Sequence, residues 1–402
     1  MSDAGWAALG LFSFWSPSPA IPPVPLGAEL AAPPVMLWSS ALPGQAPNSS
    51  TRAEPGGVAV DGDHLYVGYS GTDALLVLDR HDGHLLGTLP TKGPVASTPV
   101  VTPQYVYATD RAGYTWAWKK VPARLTGLAE VEAWSHFSGS PITAPPAVEG
   151  NTVYVANLDD QVFAIDAQTG AVRWRHARTL DASRGASLEL MGAPTPTVRD
   201  GMVYAGFSDG FVAALRVGDG EPVWTASVGE GTYPDIIAPP VSTGSAVVVG
   251  GFTGPLVSLD ATSRTPAWRI DAGSSSPLLL EGETLWQGGT DGVLRKVNAR
   301  TGEVLWAWDS LTGGTLTTPV HTPLGMLVAS SVGTVWLVNE STGLPIWDFD
   351  PGILLNGVTA RPTVADGEVF VVSNAGIVYA LRGRVNPRAE AADRRPWVVG
   401  GR

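Results

Sequence analysis

No cysteine occurs in the 402 residues. That excludes disulfides, thiolate metal sites, a Cys nucleophile and a lipid on an N-terminal Cys within this sequence. Basic residues are also scarce: Lys+Arg is 25 against Asp+Glu 37, a formal charge of −12. Such a balance argues against a nucleic-acid backbone or an anionic membrane surface as the main partner. Charged residues of all kinds make up only 15% of the chain. A long apolar run is missing too. The strongest near the start, WAALGLFSFW at 6–15, is ten residues, whereas an integral membrane span needs about 20. This run reads as a degenerate secretory signal, with Ser18-Pro19-Ala20 as a cleavage point, or as a leader, because Met-Ser-Asp lacks the usual basic residues. Residues 1–34 are therefore expected to be a leader and Pro-rich linker.

What is abundant points to short strands and tight turns. The chain has 48 Gly, 34 Pro and 15 Trp, with 44% hydrophobic residues. A repeat dominates it. APPAVEGNTVYVANLDDQVFAIDAQTGAVRWRH (144–176) recurs from 194, 238, 275 and 317. The units end at Trp174, Trp224, Trp268, Trp306 and Trp347, separated by 50, 44, 38 and 41 residues. That period fits one four-stranded propeller blade. Alternation and turn residues divide the 144–176 unit into strands A near 144–148, B at 152–157, C at 161–166 and D at 171–176. Gly170 sits where the C–D turn requires positive φ.

Three units are less regular. The first, 56–89, has Gly87 at the Trp position. The second carries an insertion near 119–132 before Trp134. The last, 360–383, has A, B and C strands but no D. An unpaired last blade would leave a sheet edge open. The segment PPVMLWSSALPG (33–44) holds Trp38 and has no partner strands before it. We expect 35–40 to complete the last blade, making one all-β, eight-bladed propeller over 35–383, followed by a tail over 384–402.

Asp166…Thr169-Gly170…Trp174 recurs as Asn298…Thr301-Gly302…Trp306 and Asn339…Thr342-Gly343…Trp347, with degenerate copies ending at Trp224 and Trp268. This resembles the tryptophan-docking motif of PQQ-like propellers. That superfamily includes quinoprotein alcohol dehydrogenases and the propeller lipoprotein of the outer-membrane protein assembly machinery. The resemblance implies that each indole docks on the turn glycine of an adjacent blade. The motif residues are then structural, and burying one ring contributes at most about 4–6 kcal/mol.

Other motifs carry little chemistry. Gly206-Phe-Ser208-Asp-Gly210 matches the hydrolase nucleophile elbow but falls in a B–C hairpin rather than a strand-to-helix turn. His81 and His84 lack a third ligand close in sequence. Asp61-Gly-Asp63 lacks the rest of a calcium loop. Asn48-Ser-Ser matches a glycosylation acceptor. No catalytic, cofactor-binding or metal-ligating residue is expected. Partner contacts are expected on the disc face that carries the D–A connections and B–C turns. Its longest loops hold Leu188, Leu190, Met191, Tyr233, Ile236, Ile237, Leu354 and Leu355.

The residues and the resemblance together favour a non-catalytic protein–protein scaffold in the periplasm or cell envelope, with envelope or outer-membrane proteins as partners and no cofactor. The alternatives are a PQQ-binding sensor or a quinoprotein dehydrogenase using PQQ and calcium. The chain departs from the assembly propellers in lacking their usual lipidated Cys. It departs from the dehydrogenases in lacking the vicinal Cys pair and a transferable ligand set.

Overall fold

The computed structural model describes residues 34–44, 56–121, 130–178, 192–229, 234–311, 313–351 and 357–383. The leader (Pro34 apart), the tail and Asn48 lie outside them. Every regular element among the described residues is a strand, and all fall into eight four-stranded antiparallel sheets. The third blade is typical: Ala147–Glu149, Thr152–Asn157, Gln161–Asp166 and Val172–Ala177 pair in chain order. Its inner strand is shorter than the expected 144–148, because Pro145 and Pro146 have no N–H to donate to a ladder.

The last blade pairs Thr363–Ala365, Glu368–Val372 and Ile377–Arg382 with Val35–Ala41 as its outer strand. Trp38 stands opposite Ala380 and Ala41 opposite Ile377. The expected closure between the chain ends is therefore present. Inner strands of several neighbouring blades touch, blade 1 meeting blade 8.

The insertion in blade 2 is narrower than expected. Tyr114–Lys120 and Glu130–Phe137 are both strands, paired out to Lys120 opposite Glu130. Two contacts to blade 1 hold these long ends. Lys120 Nζ lies 2.5 Å from Asp61, and the Tyr66 hydroxyl donates to Glu130 at 2.5 Å.

The apolar interior is divided. Eight clusters of buried side chains each lie between two adjacent blades rather than inside one. This follows from the two-residue period. A strand buried on both faces offers one face to each neighbouring blade. Val162 and Ala164 face blade 4, while Phe163 and Ile165 face blade 2.

Blade 1 and blade 8 share an ionic contact that the motif did not predict. Arg80, 11% exposed, reaches Glu368 and Asp366 at 2.8 Å each and donates to the Ala365 carbonyl. Arg382 also binds Glu368, at 2.6 Å. Removing Val35–Ser40 should leave this seam open. We expect a loss of about 4 kcal/mol or more, read as a lower melting temperature by circular dichroism and earlier elution in gel filtration. Equal stability and compactness would contradict closure by this strand.

Candidate functional site

The blade seams are built from the turn upward. In blade 3 the Asp166 carboxylate accepts the backbone N–H groups of Gln168 and Thr169 and the Thr169 hydroxyl, at 2.9–3.0 Å. Arg173 adds a contact at 2.7 Å. The Arg173 hydrogen bond and the turn amides hold this carboxyl well below the usual carboxylate range. Gly170 then closes the turn at φ 73°. The Trp134 indole lies over it, so close that a Cβ there would sit 2.8 Å from the ring. Two independent demands thus select glycine: the left-handed backbone and the approach of the ring. The Trp134 N–H donates to the Ala167 carbonyl at 3.0 Å.

The same geometry recurs. Trp174 lies on Gly220, Trp268 on Gly302, Trp306 on Gly343 and Trp38 on Gly83. The four indoles donate to the carbonyls of Val217, Ala299, Glu340 and Arg80. Beside the Trp position every outer strand slips register by one residue. Such a bulge re-aims a side chain.

Three seams depart from the expected docking. In the seam that Trp224 fills, the turn position is Arg264 at φ 63° rather than glycine. Trp347 meets a blade whose third and fourth strands come from opposite chain ends, so no C–D turn exists to receive it. It stacks on Phe349 instead, which meets Tyr379 edge-on. Gly87 occupies the Trp place in blade 1, opposite Val77. The next C–D connection is the blade 2 insertion, and Trp116 and Trp118 fill the seam from that side, stacked at 5.8 Å. Gly220 belongs to the degenerate copy that ends at Trp224; Gly83 could also have been found in the sequence, since it too stands fifth in its turn, which opens at Asp79.

On the long-loop face, Leu188, Leu190, Met191, Tyr233, Leu354 and Leu355 lie outside the described residues. Ile236 corrects the expectation of an exposed contact. It is 2% exposed, bridged to Gly251 and packed against Gly206. Ile237 lines the central channel. Among the described residues, the large apolar side chains that stand out on this face are Phe137, 54% exposed, and Leu311, 87% exposed. Phe137 ends the outer strand of blade 2, with its ring 4.9 Å from Tyr114. Leu311 follows the outer strand of blade 6 and holds φ 56°, an unusual conformation for a branched side chain.

The Ser208 hydroxyl donates to Asp160 at 2.5 Å, and the Ser208 N–H donates to the same carboxylate. This bond ties two B–C turns together, as expected of a hairpin rather than a nucleophile elbow. His81 faces Asp63 and His84 faces Asp82. Asp79, partly buried, and the exposed Asp82 and His84 form a group with ligand atoms within 4.8 Å, although both carboxylates cap the turn's backbone. Asp61 is engaged by Lys120.

The channel along the disc axis encloses about 430 Å³ and is walled mainly by Pro, Thr, Ser, Ala, Gly and Val. Among the described residues, its charged lining residues are Arg361 and Glu149. Burial pushes the Arg361 guanidinium down to about 10. A PQQ–calcium centre needs several oxygen ligands on the metal and several donors for the quinone's carboxylates. This lining does not fit one.

On the other face an ion chain crosses the seam between blades 6 and 7. His321 lies 3.0 Å from Glu281 and 3.3 Å from Glu340, and Lys296 binds Glu340 at 3.0 Å. The Glu281 hydrogen bond, with the charges of Glu281 and Glu340, raises the His321 pKa. Burial and Lys296 oppose the rise.

Indole-docked blades closed by both chain ends define a PQQ-like eight-bladed β-propeller. The family model described as "Outer membrane protein assembly factor BamB" matches residues 36–126, 129–291 and 290–386, so the chain belongs to that family. The Outer membrane protein assembly factor BamB of Salmonella typhimurium is 23% identical over 328 residues, covering 70% of this chain and 83% of that protein. The crystal structure of BamB from Moraxella catarrhalis superposes with a TM-score of 0.68 at 21% identity, over 87% of this chain and 99% of that one. A quinohemoprotein alcohol dehydrogenase from Pseudomonas putida shares the fold alone, with a TM-score of 0.63 at 13% identity over 93% and 79% of the two chains.

Two substitutions test the seams in opposite directions. Trp174→Ala should cost about 3–5 kcal/mol in denaturant unfolding, because the ring is 7% exposed and leaves a cavity. Arg264→Gly should add up to about 1 kcal/mol by relieving the positive φ. For His321, a folded pKa raised above 6.5 means stability present below 6.5 and lost as pH climbs through the folded value. The melting-temperature gap between wild type and His321→Gln should therefore be largest near pH 5.5 and shrink toward about pH 8.5. A pH-independent gap would contradict the ion chain.

Proposed function

We propose that the chain acts outside the cytoplasm as a non-catalytic scaffold of the cell envelope, working in outer-membrane protein assembly. The observation that carries this reading is the family match across the whole propeller, together with 83% coverage of a relative named as an assembly factor. The channel lining supports it by suiting no quinone–calcium centre. Envelope or outer-membrane proteins are the partners, in line with the acidic balance of the chain. They meet the long-loop face, where Phe137 and Leu311 offer apolar surface from a rigid ring. By sequence Leu188, Leu190, Met191, Tyr233, Leu354 and Leu355 belong to connections of that same face. The strained, exposed Leu311 is the most suggestive of these residues. Its positive φ, in a turn where its N–H donates to the Asp309 carboxylate at 2.8 Å, holds the side chain out toward solvent.

Photo-cross-linking in cells tests this. p-Benzoylphenylalanine placed at Phe137 or Leu311 should capture envelope proteins. The same group at Glu283, an exposed residue of an A–B turn on the opposite face, should capture few. Purified protein given PQQ and calcium should not reduce a dye in the presence of alcohols or sugars. Equal capture from both faces, or turnover, would overturn the reading.

A further inference from the structure

Two residues past the Trp position, each outer strand sets one more side chain into the seam. That residue is Leu89 in blade 1, Ala226, Ile270, Trp308 and Phe349 in blades 4 to 7, and Ser40 in blade 8. Blades 2 and 3 have histidine there, His136 and His176. The residue across the ladder is Leu or Val in every blade but one. In blade 2 it is Thr115. Two successive seams thus carry a titratable ring where the others are closed by a group that cannot charge.

Both rings pack on the next blade. His136 lies 5.5 Å from the Phe163 ring and His176 lies 6.2 Å from Phe207. The His136 Nε2 is buried without a hydrogen-bond partner, and so is the hydroxyl of Thr115 opposite it. A neutral imidazole tolerates such a place, whereas an imidazolium adds an N–H and a charge that nothing there offsets. The carboxylates on the surrounding elements are held elsewhere: Asp110 by Trp116 and the Tyr114 N–H, Glu132 by Ser135, and Asp160 by Ser208. Asp159 is exposed. The charged side chain across the ladder from Phe163 is a cation, Arg175. Burial lowers the His136 pKa. Burial also lowers that of His176, with Glu221 and the Gly220 backbone opposing and Arg178 assisting. Arg178 is fixed beside this seam over the Phe211 ring, bound to Asp209.

We propose that blade 3 is an acid-sensitive segment of the ring: proton uptake by His136 and His176 loosens it against blades 2 and 4 while the other seams hold. A histidine whose folded pKa lies below 6.5 contributes full stability above 6.5, which is lost as pH falls toward the lower folded value. The seam between blades 6 and 7 answers in the opposite sense, because His321 sits between two carboxylates. Acid therefore weakens one side of the ring and strengthens another. Phe137 follows His136 on the same strand, so the loosening reaches the partner face. That consequence rests on the scaffold reading, whereas the loosening itself does not.

Hydrogen exchange of the full chain without any partner tests it, followed by mass spectrometry near pH 7.5 and near pH 5.0 and corrected for intrinsic rates. Protection of residues 130–137 and 172–177 should fall about tenfold or more at the lower pH. Strands Leu256–Asp260 and Pro266–Ile270 of blade 5 should change less than about twofold. Combining His136→Leu with His176→Leu gives both positions the blade 1 residue and should remove the response in blades 2 and 3. Magnetic resonance titration of the wild-type imidazoles carries the test if that variant does not fold. His136 and His176 should titrate below 6.5 and His321 above it. Titration of His136 and His176 at 6.5 or higher would overturn the proposal. So would an acid response unchanged in the double variant, or an equal loss of protection in every blade.

Discussion

An indole laid flat on the turn of the next blade is the contact on which this molecule depends. Each blade alone is a four-stranded sheet with two apolar faces and no core of its own. Its stability comes from its neighbours, as in other repeat architectures. The docked Trp joins the outer edges of two blades, where the radial gap is widest and small aliphatic side chains cannot reach across. One ring supplies the area, and its N–H meets the carbonyl that follows the turn's first residue. The turn is pre-shaped for this by an Asp or Asn that folds the backbone amides onto its own side chain.

Where the receiving turn is missing, the ring solves the same packing problem differently. Blade 2 replaces its turn with a longer connection, and blade 1 accordingly has Gly87 in place of Trp. Trp116 and Trp118 of blade 2 lean back to fill the space, and a charge pair and a Tyr–Glu bond fasten the rim. Blade 8 has no C–D turn because the chain begins and ends there, and aromatic stacking around Trp347 and Phe349 takes over. The first and last blades are also where a ring could come apart. Arg80, partly buried and held by two carboxylates from blade 8, adds an ionic clamp to the strand exchange. Its carboxylates lie more than 280 positions away in sequence.

This rigid frame divides the molecule into regions with separate roles. One face carries the long connections, with Phe137 and Leu311 exposed on it. The opposite face carries short A–B and C–D turns stiffened by capping and by ion pairs such as the His321 chain. The axial channel lies between them, walled by the starts of the inner strands. Prolines there shorten the ladders and leave the channel open.

The blade count, the shared last blade and the docking motif were legible in the sequence because they are local and periodic. Strand alternation, Asx-type turns and a Trp about every 40 residues repeat often enough to align against one another. Local patterns could not show which loop residues face solvent. Ile236 and Ile237 look equivalent as neighbours in one connection, yet the first is sealed beneath a backbone bridge and the second faces the channel. Nor could they show that Arg80 meets Glu368. Periodic burial is decided by each short segment and its copies. Pairing across the closed ring is decided only when all eight blades are in place, because residues from opposite ends of the chain become neighbours there.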